Sequence, residues 1–205
     1  MGLCCECEMR SLPWQSTVCL KCAQAVPLPD SVCGKCLKNN AAYDQIIAPF
    51  RYESSIKYLI KQFKFHEQLQ YGYVLADLLG KSLINHPHFQ KPEILLPVPL
   101  HYQRLKKRGF NQAAEIAKRL AVKLNITLHK NLLKKTIPTL PQSEQNFSER
   151  KKNIRHAFSW EKNFLFDHVA IVDDIVTTGS TVNEIALLLK QQGIKKVSVF
   201  AVARA

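Results

Sequence analysis

The clearest hydrophobic pattern lies in the last part of the chain. Residues 169–172 form a continuous apolar run, residues 180–191 repeat apolar positions with helical spacing, and residues 197–202 form a second apolar run. Short continuous apolar runs are typical of strands that are buried on both faces, and Gly193 marks the end of the intervening helix. The order strand, helix, strand predicts parallel strands in an α/β fold.

Weaker patterns predict five further elements upstream. They are strands at residues 46–52 and 93–99 and helices at residues 55–64, 77–84 and 111–124. Between the second strand and the last of these helices, the run from His101 to Gly109 predicts a basic loop. Residues 131–158 lack clean periodicity and predict an irregular, hairpin-like excursion.

Positive charge is concentrated in one third of the chain. The formal net charge is +13, and residues 91–156 hold 15 Lys and Arg against 4 Asp and Glu. Such asymmetry favours a polyanionic partner, either phosphate esters or nucleic acid, over a merely solvated basic surface. Membrane insertion is not expected, because no apolar run approaches about 18 residues. With no secretory h-region at the amino terminus, the sequence predicts a cytoplasmic protein.

All seven cysteines fall within the first 36 residues. They form three C-x2-C pairs with Cys5 left over: Cys4/Cys7, Cys19/Cys22 and Cys33/Cys36. In a chain without a signal peptide, paired thiolates at this spacing indicate a structural zinc site more than disulfides or redox chemistry. The preferred ligand set is Cys4, Cys7, Cys19 and Cys22, while Cys33/Cys36 can replace one of these pairs.

Breaker-rich segments follow the cysteines, at residues 27–30 and 38–42. They predict a boundary between a zinc-ribbon module over residues 1–40 and an α/β domain over residues 41–205.

The loop between the strand at 169–172 and the helix at 180–191 has the composition of an anion site. Small hydroxyl residues and a glycine allow close backbone approach, and the free N–H groups of a helix N-terminus favour a phosphate. The two carboxylates ahead of them suit ribose hydroxyls or a Mg2+ ion. The predicted binding residues are Asp173, Asp174, Thr177, Thr178, Gly179, Ser180 and Thr181. Simple helix capping is the alternative, but it does not require the two acids.

The run Val172 to Thr181 resembles the PRPP-binding motif of type I phosphoribosyltransferases. Further features narrow the match: the paired cysteines, Pro97–Leu100, Arg104, Arg108–Gln112, and the later set Gln142, Arg150, Asn153 and Ala157–Phe158. With these features the chain resembles the ComF family of competence proteins, also called GntX-like or amidophosphoribosyltransferase-like proteins. The resemblance implies a zinc ribbon fused to a type I phosphoribosyltransferase fold, and a role in handling incoming single-stranded DNA during natural transformation.

The same resemblance assigns roles outside the loop. Pro97 to His101 corresponds to the pyrophosphate loop, with Arg104 and Arg108 as its cations, and residues 136–150 correspond to a flexible lid. Two departures matter: members often carry four C-x2-C pairs, and some phosphoribosyltransferases have an acidic base where this chain has Thr177. No catalytic residue is assigned, although His101 is a conceivable acid or base.

Three functions follow as hypotheses, of which one is a regulatory module that senses PRPP. In the first, the protein binds PRPP or another ribose 5-phosphate with Mg2+ and handles single-stranded DNA, with competence DNA-uptake proteins as possible partners. The basic region would then contact phosphates, and Tyr102, Phe110 and Phe147 are candidates for base stacking, although packing is the favoured role of Phe110. In the alternative, it is an active phosphoribosyltransferase of nucleobase or nucleotide salvage.

Overall fold

A computed structural model of the chain describes residues 17–65, 68–136, 157–161 and 166–205. The strands are β1 (Gln45–Ile47), β2 (Phe50–Arg51), β3 (Ile94–Pro97), β4 (Thr127–Leu128), β5 (Leu133–Lys135), β6 (Phe158–Trp160), β7 (His168–Val176) and β8 (Lys196–Arg204). The helices are α1 (Gly34–Lys38), α2 (Ser54–Phe65), α3 (Leu69–Ile84), α4 (Tyr102–Arg108), α5 (Gln112–Leu124) and α6 (Ser180–Gln191).

The main sheet is parallel and has the strand order β1-β8-β7-β3-β4, with β2 pairing beside β1 along the same edge of β8. The long strands β7 and β8 lie at its centre, in register from His168 opposite Lys196 to Val176 opposite Arg204. Parallel pairing brings the carboxyl ends of β3, β7 and β8 to one edge, where ligands of α/β proteins bind. The α/β prediction is confirmed.

Both faces of this sheet are covered, which explains the continuous apolar runs in the sequence. Val169 and Ile171 of β7 pack on the face that carries α6, while Ala170 and Val172 pack on the face that carries α2, α3 and α5. All four side chains are fully buried. Because successive side chains of a strand point to opposite faces, the residues of this one apolar strand pack alternately into two cores.

The helix after β7 matches its prediction at both ends, because α6 spans Ser180–Gln191. Gly193 adopts φ +90° directly after the C-cap, and its N–H donates to the carbonyl of Lys190 at 3.0 Å. The next N–H, of Ile194, donates to Leu189 at 3.2 Å, which completes a Schellman motif. A non-glycine residue at Gly193 would be strained.

Other predicted elements differ from the structure at their ends. The predicted loop at residues 101–109 is the short helix α4, which ends at Gly109 in the left-handed conformation with φ 72°. Helix α3 begins at Leu69, eight residues before the predicted start. The predicted strand at residues 46–52 is divided into β1 and β2 around Pro49, and both pieces pair with β8.

The irregular region after α5 contains a small antiparallel sheet. β5 pairs with β6, with Leu133 opposite Trp160 and Lys135 opposite Phe158. The predicted lid residues beyond Thr136, together with Gln142, Phe147, Arg150 and Asn153, lie outside the described residues. Among the helices that are described, none has the length and apolar character that a membrane crossing requires.

The cysteine-rich segment packs directly on the sheet domain. Cys19, Cys22 and Ala23 are buried in the same core as α6 and one face of β7 and β8. The N–H of Ile46 in β1 donates to the carbonyl of Lys21 at 2.9 Å. The two predicted modules therefore share a core, and the boundary at residue 40 stays a prediction from composition.

Candidate functional site

The central strand β7 carries both acidic residues of the predicted anion site at residues 173–181, which we call the cradle. It continues to Val176, four residues beyond the predicted end, so that Asp173 and Asp174 lie within its last part. Asp173 pairs in register with Ala201 of β8. Thr177 to Gly179 then form the connection to α6, at the carboxyl edge of the sheet.

The N-terminus of α6 is arranged for close approach of an anion. Gly179 is the N-cap residue with φ 79° and has no side chain that could cap the helix. Thr178 Oγ1 and Ser180 Oγ share a hydrogen bond of 2.9 Å, and the N–H of Ser180 donates to Thr178 Oγ1 at 3.3 Å. The first N–H groups of a helix have no intrahelical acceptor and carry the positive end of its dipole. Hydroxyl and amide donors therefore meet at one point, as a phosphate monoester requires.

A lysine that the sequence analysis did not predict neutralises one of the acids. Lys64, near the end of α2, places its Nζ 2.6 Å from Asp174 Oδ2. Both side chains are largely buried, so this ion pair is screened less than a surface pair. The pair anchors α2 at the carboxyl edge of the sheet.

Asp173 has a different environment. Its Oδ1 accepts a hydrogen bond from the N–H of Asp174 at 2.9 Å. Burial and then the charge of Asp174 raise the pKa of Asp173 to about 8, against the opposing charge of Lys64. A carboxyl group with a pKa so far above its ordinary range has much to gain from a nearby cation or hydrogen-bond donor.

Three cations of α4 and β5 interact electrostatically, and one of them also interacts with Asp173. Burial and the neighbouring charge of Arg108 lower the pKa of Arg104 on α4. Burial and then the charge of Arg104 lower the pKa of Lys135, in β5, to about 8, while Asp173 acts in the opposite direction. Arg104, Arg108 and Lys135 thus form a group of like charges, which we call the cation cluster. An anion placed among them would relieve their mutual repulsion.

The connection from β3 to α5 is held by specific caps. Asn111 is the N-cap of α5, where its Oδ1 accepts from the N–H of Ala114 at 3.4 Å and its Nδ2 donates to the carbonyl of Val98 at 3.0 Å. His101 is buried and caps α4, accepting from the N–H of Gln103 at 3.4 Å. These contacts give Asn111 and His101 structural roles and fix the start of α4, which carries Arg104 and Arg108.

Four cysteines form a compact group on the α6 side of the sheet. The sulfur atoms of Cys19, Cys22, Cys33 and Cys36 all lie within 4.8 Å of one another. The N–H of Cys33 donates to Cys19 Sγ at 3.2 Å, a contact that supports a thiolate. The donor set and its compactness fit a tetrahedral zinc site.

One of the two cysteine pairs in this group differs from the preferred prediction. Cys19 and Cys22 are present as expected, but Cys33 and Cys36 stand where Cys4 and Cys7 were preferred. Cys4 and Cys7 lie outside the described residues. Spacing did not decide between the pairs because all three have the same C-x2-C form.

The electrostatics of the sulfurs favour a bound cation. Burial raises the pKa of Cys19, but N–H groups of Cys33, Cys22 and Lys21 outweigh this effect and lower it to about 7. Burial raises the pKa of both Cys22 and Cys36. A metal ion shared by the four sulfurs would stabilise the thiolate form of each one.

The chain matches the Phosphoribosyl transferase domain over residues 105–205. This match covers β4 to β8, α5, α6 and the cradle loop, and it agrees with a mainly parallel sheet flanked by helices. The predicted phosphoribosyltransferase fold is therefore confirmed, with a Cys4 group beside it that can hold a metal ion.

Curated relatives match over nearly the whole chain. Competence protein F of Haemophilus influenzae is 34% identical over 212 residues, covering 100% of this chain and 91% of the relative. DNA utilization protein YhgH of Escherichia coli K12 is 31% identical, covering 99% of this chain and 90% of the relative. Competence protein ComFC of Streptococcus pneumoniae is 27% identical, covering 77% of this chain and 67% of the relative.

The cysteine group predicts which substitutions remove zinc. Cys33→Ser or Cys36→Ser should lower the zinc content of the purified protein well below the wild-type value of about one per chain, because a tetrahedral site then loses one of its four thiolates. Cys4→Ser and Cys7→Ser should keep the wild-type content, with Cys5→Ser as the matched control. Atomic absorption measures the content, and loss of zinc in Cys4→Ser with retention in Cys33→Ser would contradict this ligand set.

The raised pKa of Asp173 predicts a pH dependence of stability. Between its ordinary pKa of 3.8 and its folded-state pKa of about 8, the folded protein holds a proton that the unfolded chain releases. The free energy of unfolding should therefore fall as pH rises through this window. Asp173→Asn stays neutral and should be more stable than wild type at pH 8 by roughly 1 to 3 kcal/mol, with a smaller gain at pH 5.

Urea unfolding at pH 5 and pH 8, without ligand, measures this difference. Asp167→Asn is the control, because Asp167 is exposed beside Lys195 at the opposite end of β7. An Asp173→Asn gain that is equal at both pH values would rule out the raised pKa.

Proposed function

Since the chain belongs to the family of competence protein F and carries a phosphoribosyl transferase domain, we propose that it binds PRPP or another ribose 5-phosphate at the loop after β7. The observation that carries this proposal is the N-terminus of α6, where Gly179 has no side chain to obstruct the helix end and the Thr178 and Ser180 hydroxyls lie 2.9 Å apart. A 5-phosphate at this position accepts hydrogen bonds from hydroxyls and backbone N–H groups together.

The remaining charges fit the rest of such a ligand. Asp173 and Asp174 are placed to accept hydrogen bonds from the ribose hydroxyls, directly or with Mg2+. The cation cluster on α4 and β5 supplies positive charge for a pyrophosphate group at C1. Mg2+ would contribute further neutralisation of that pyrophosphate.

We propose binding and not turnover as the use of this loop. Thr177 stands where some phosphoribosyltransferases carry an acidic base, and a threonine hydroxyl is a poor base near neutral pH. His101, the other candidate, is buried as the cap of α4. The alternative of nucleotide salvage would need an acid or base from elsewhere.

Zinc is proposed as the resident metal of the Cys19, Cys22, Cys33 and Cys36 group. Zinc bound by four thiolates has no open position, so its role there is to hold the fold. The ion would connect the turn that holds Cys19 and Cys22 with the start of α1, where Cys33 is the N-cap residue and Cys36 lies in the helix.

Single-stranded DNA is the proposed macromolecular ligand. Helix α4 exposes Tyr102, Leu105, Lys106 and Lys107, and Tyr102 is 67% exposed. Phosphates would contact the lysines while bases stack on Tyr102. Phe110 instead packs against Phe63 at 5.3 Å between ring centroids and is not available for stacking. The names of relatives as competence and DNA utilization proteins support this assignment, with DNA-uptake proteins as further partners.

Calorimetry with PRPP and Mg2+ tests the cradle. Asp173→Ala combined with Asp174→Ala should abolish measurable binding of PRPP. Thr178→Val should weaken ribose 5-phosphate binding about tenfold, equivalent to about 1.4 kcal/mol, because it removes one hydroxyl donor at constant shape. Thr127→Val, an exposed threonine of β4, is the matched control. Equal affinity for ribose and ribose 5-phosphate would refute a phosphate cradle.

Single-strand affinity at several salt concentrations tests the DNA surface. Replacing both Lys106 and Lys107 by Ala should weaken binding and reduce the slope of log K against log salt by about 1.4, since each phosphate contact contributes about 0.7. The matched control replaces Lys195 and Lys196, an adjacent pair at the opposite end of the sheet. An equal loss in both double variants would indicate attraction to net charge and not a binding surface.

A further inference from the structure

A buried arginine joins the cysteine group to the cradle. Arg204, at the end of β8, is 7% exposed. Its Nε donates to the carbonyl of Cys22 at 3.0 Å, and its Nη2 donates to Gln24 Oε1 at 2.8 Å. Its Nη1 donates to the carbonyls of Val176 at 2.9 Å and Thr177. One guanidinium therefore binds the backbone of a cysteine in the group and the residue that begins the cradle loop.

Two residues between the cysteine segment and β1 support the same loop. Tyr43, a buried residue, lies close enough to Gly179 that a side chain there would place its Cβ 3.5 Å from the Tyr43 hydroxyl. Asn183, in the first turn of α6, accepts a hydrogen bond from the N–H of Ala42 at 2.9 Å through its Oδ1. The cradle loop and the start of α6 are thus supported from the side that the cysteine segment occupies.

The charges explain why this connection should respond to metal. A buried guanidinium that contacts mainly carbonyl oxygens gains from nearby negative charge. Zinc with four thiolates carries a net charge of about −2, and the Cys22 carbonyl that Arg204 binds belongs to this group. Without metal, the segment that presents this carbonyl would lose its fixed geometry.

We propose that Arg204 is a positioning residue that couples metal binding at the cysteine group to the affinity of the cradle for phosphate. Zinc fixes the Cys22 carbonyl, that carbonyl orients the guanidinium, and the guanidinium holds the Val176 and Thr177 carbonyls. The N–H groups that follow in the loop then face the ligand. This inference rests on the proposed binding of ribose 5-phosphate.

The coupling is tested by the affinity for ribose 5-phosphate with and without zinc, measured by calorimetry. In the wild type, removal of zinc with a chelator should weaken binding about tenfold, and added zinc should restore it. By reciprocity, saturating ribose 5-phosphate should raise the zinc affinity by the same factor in competition with the chelator. Equal phosphate affinity in both metal states overturns the proposal.

Arg204→Lys separates coupling from simple structural support. A lysine keeps the charge but cannot reach both sides at once, so the zinc-loaded variant should bind ribose 5-phosphate more weakly. The ratio between zinc-loaded and zinc-free affinities should fall towards one while zinc content stays at the wild-type value. Arg119→Lys, half-exposed on α5, is the matched control and should keep the wild-type ratio.

The outcomes are distinguishable. If the zinc-loaded wild type does not bind ribose 5-phosphate, both the proposed function and the coupling fail. If it binds and the wild-type ratio is near one, or the Arg204→Lys ratio equals that of the wild type, only the coupling fails. If Arg204→Lys does not fold, the reciprocal measurement on the wild type decides.

Discussion

The site depends first on the parallel pairing of β7 with β3 on one side and with β8 on the other. This pairing places the end of β7 with its two acids, the start of α4 with its basic residues and the end of β8 with Arg204 at one edge of the sheet. None of these segments is near another in sequence. The apolar faces of β7 bury the strand between two cores, so the polar residues at its end have a rigid support.

This rigidity has an electrostatic consequence. Asp173 and Asp174 are adjacent and poorly solvated, and Lys64 forms its ion pair with Asp174. The members of the cation cluster repel one another, and Lys135 of this cluster also interacts with Asp173. A ligand that brings negative charge to the cation cluster and hydrogen-bond donors to the acids would relieve both repulsions. A phosphorylated sugar carries an anionic group and separate hydroxyl donors in one molecule.

Periodicity predicted the elements that are long and capped. The limits of α6, and those of α5 to within one residue, followed from local signals, because caps and apolar repeats act over a single turn. Helix α4 was missed because its exposed sequence has no apolar repeat and its ends are set by His101 and Gly109.

The missed site residues have a different cause. Lys64 and Lys135 contribute through tertiary placement, and nothing in their local sequence indicates which strand they meet. In the sequence, Lys64 stands out only as a basic residue beside the apolar face of α2, and that position does not indicate its partner. Equal spacing in all three cysteine pairs likewise left the metal ligands open, and only the fold brought Cys33 to Cys19.

The contacts that Arg204 makes also bear on the order in which the chain folds. The cysteine group closes a short loop, whereas the bonds from Arg204 to Cys22 and from Val197 to Asp44 span 182 and 153 residues. Contacts of such sequence separation form slowly, because a long loop must be closed before they yield any stabilisation. The metal-bound cysteine group can therefore form well before the central strand β8 enters the sheet. Acquisition of metal would then be an early step in maturation. Formation of a cradle that can bind its ligand would be a late step.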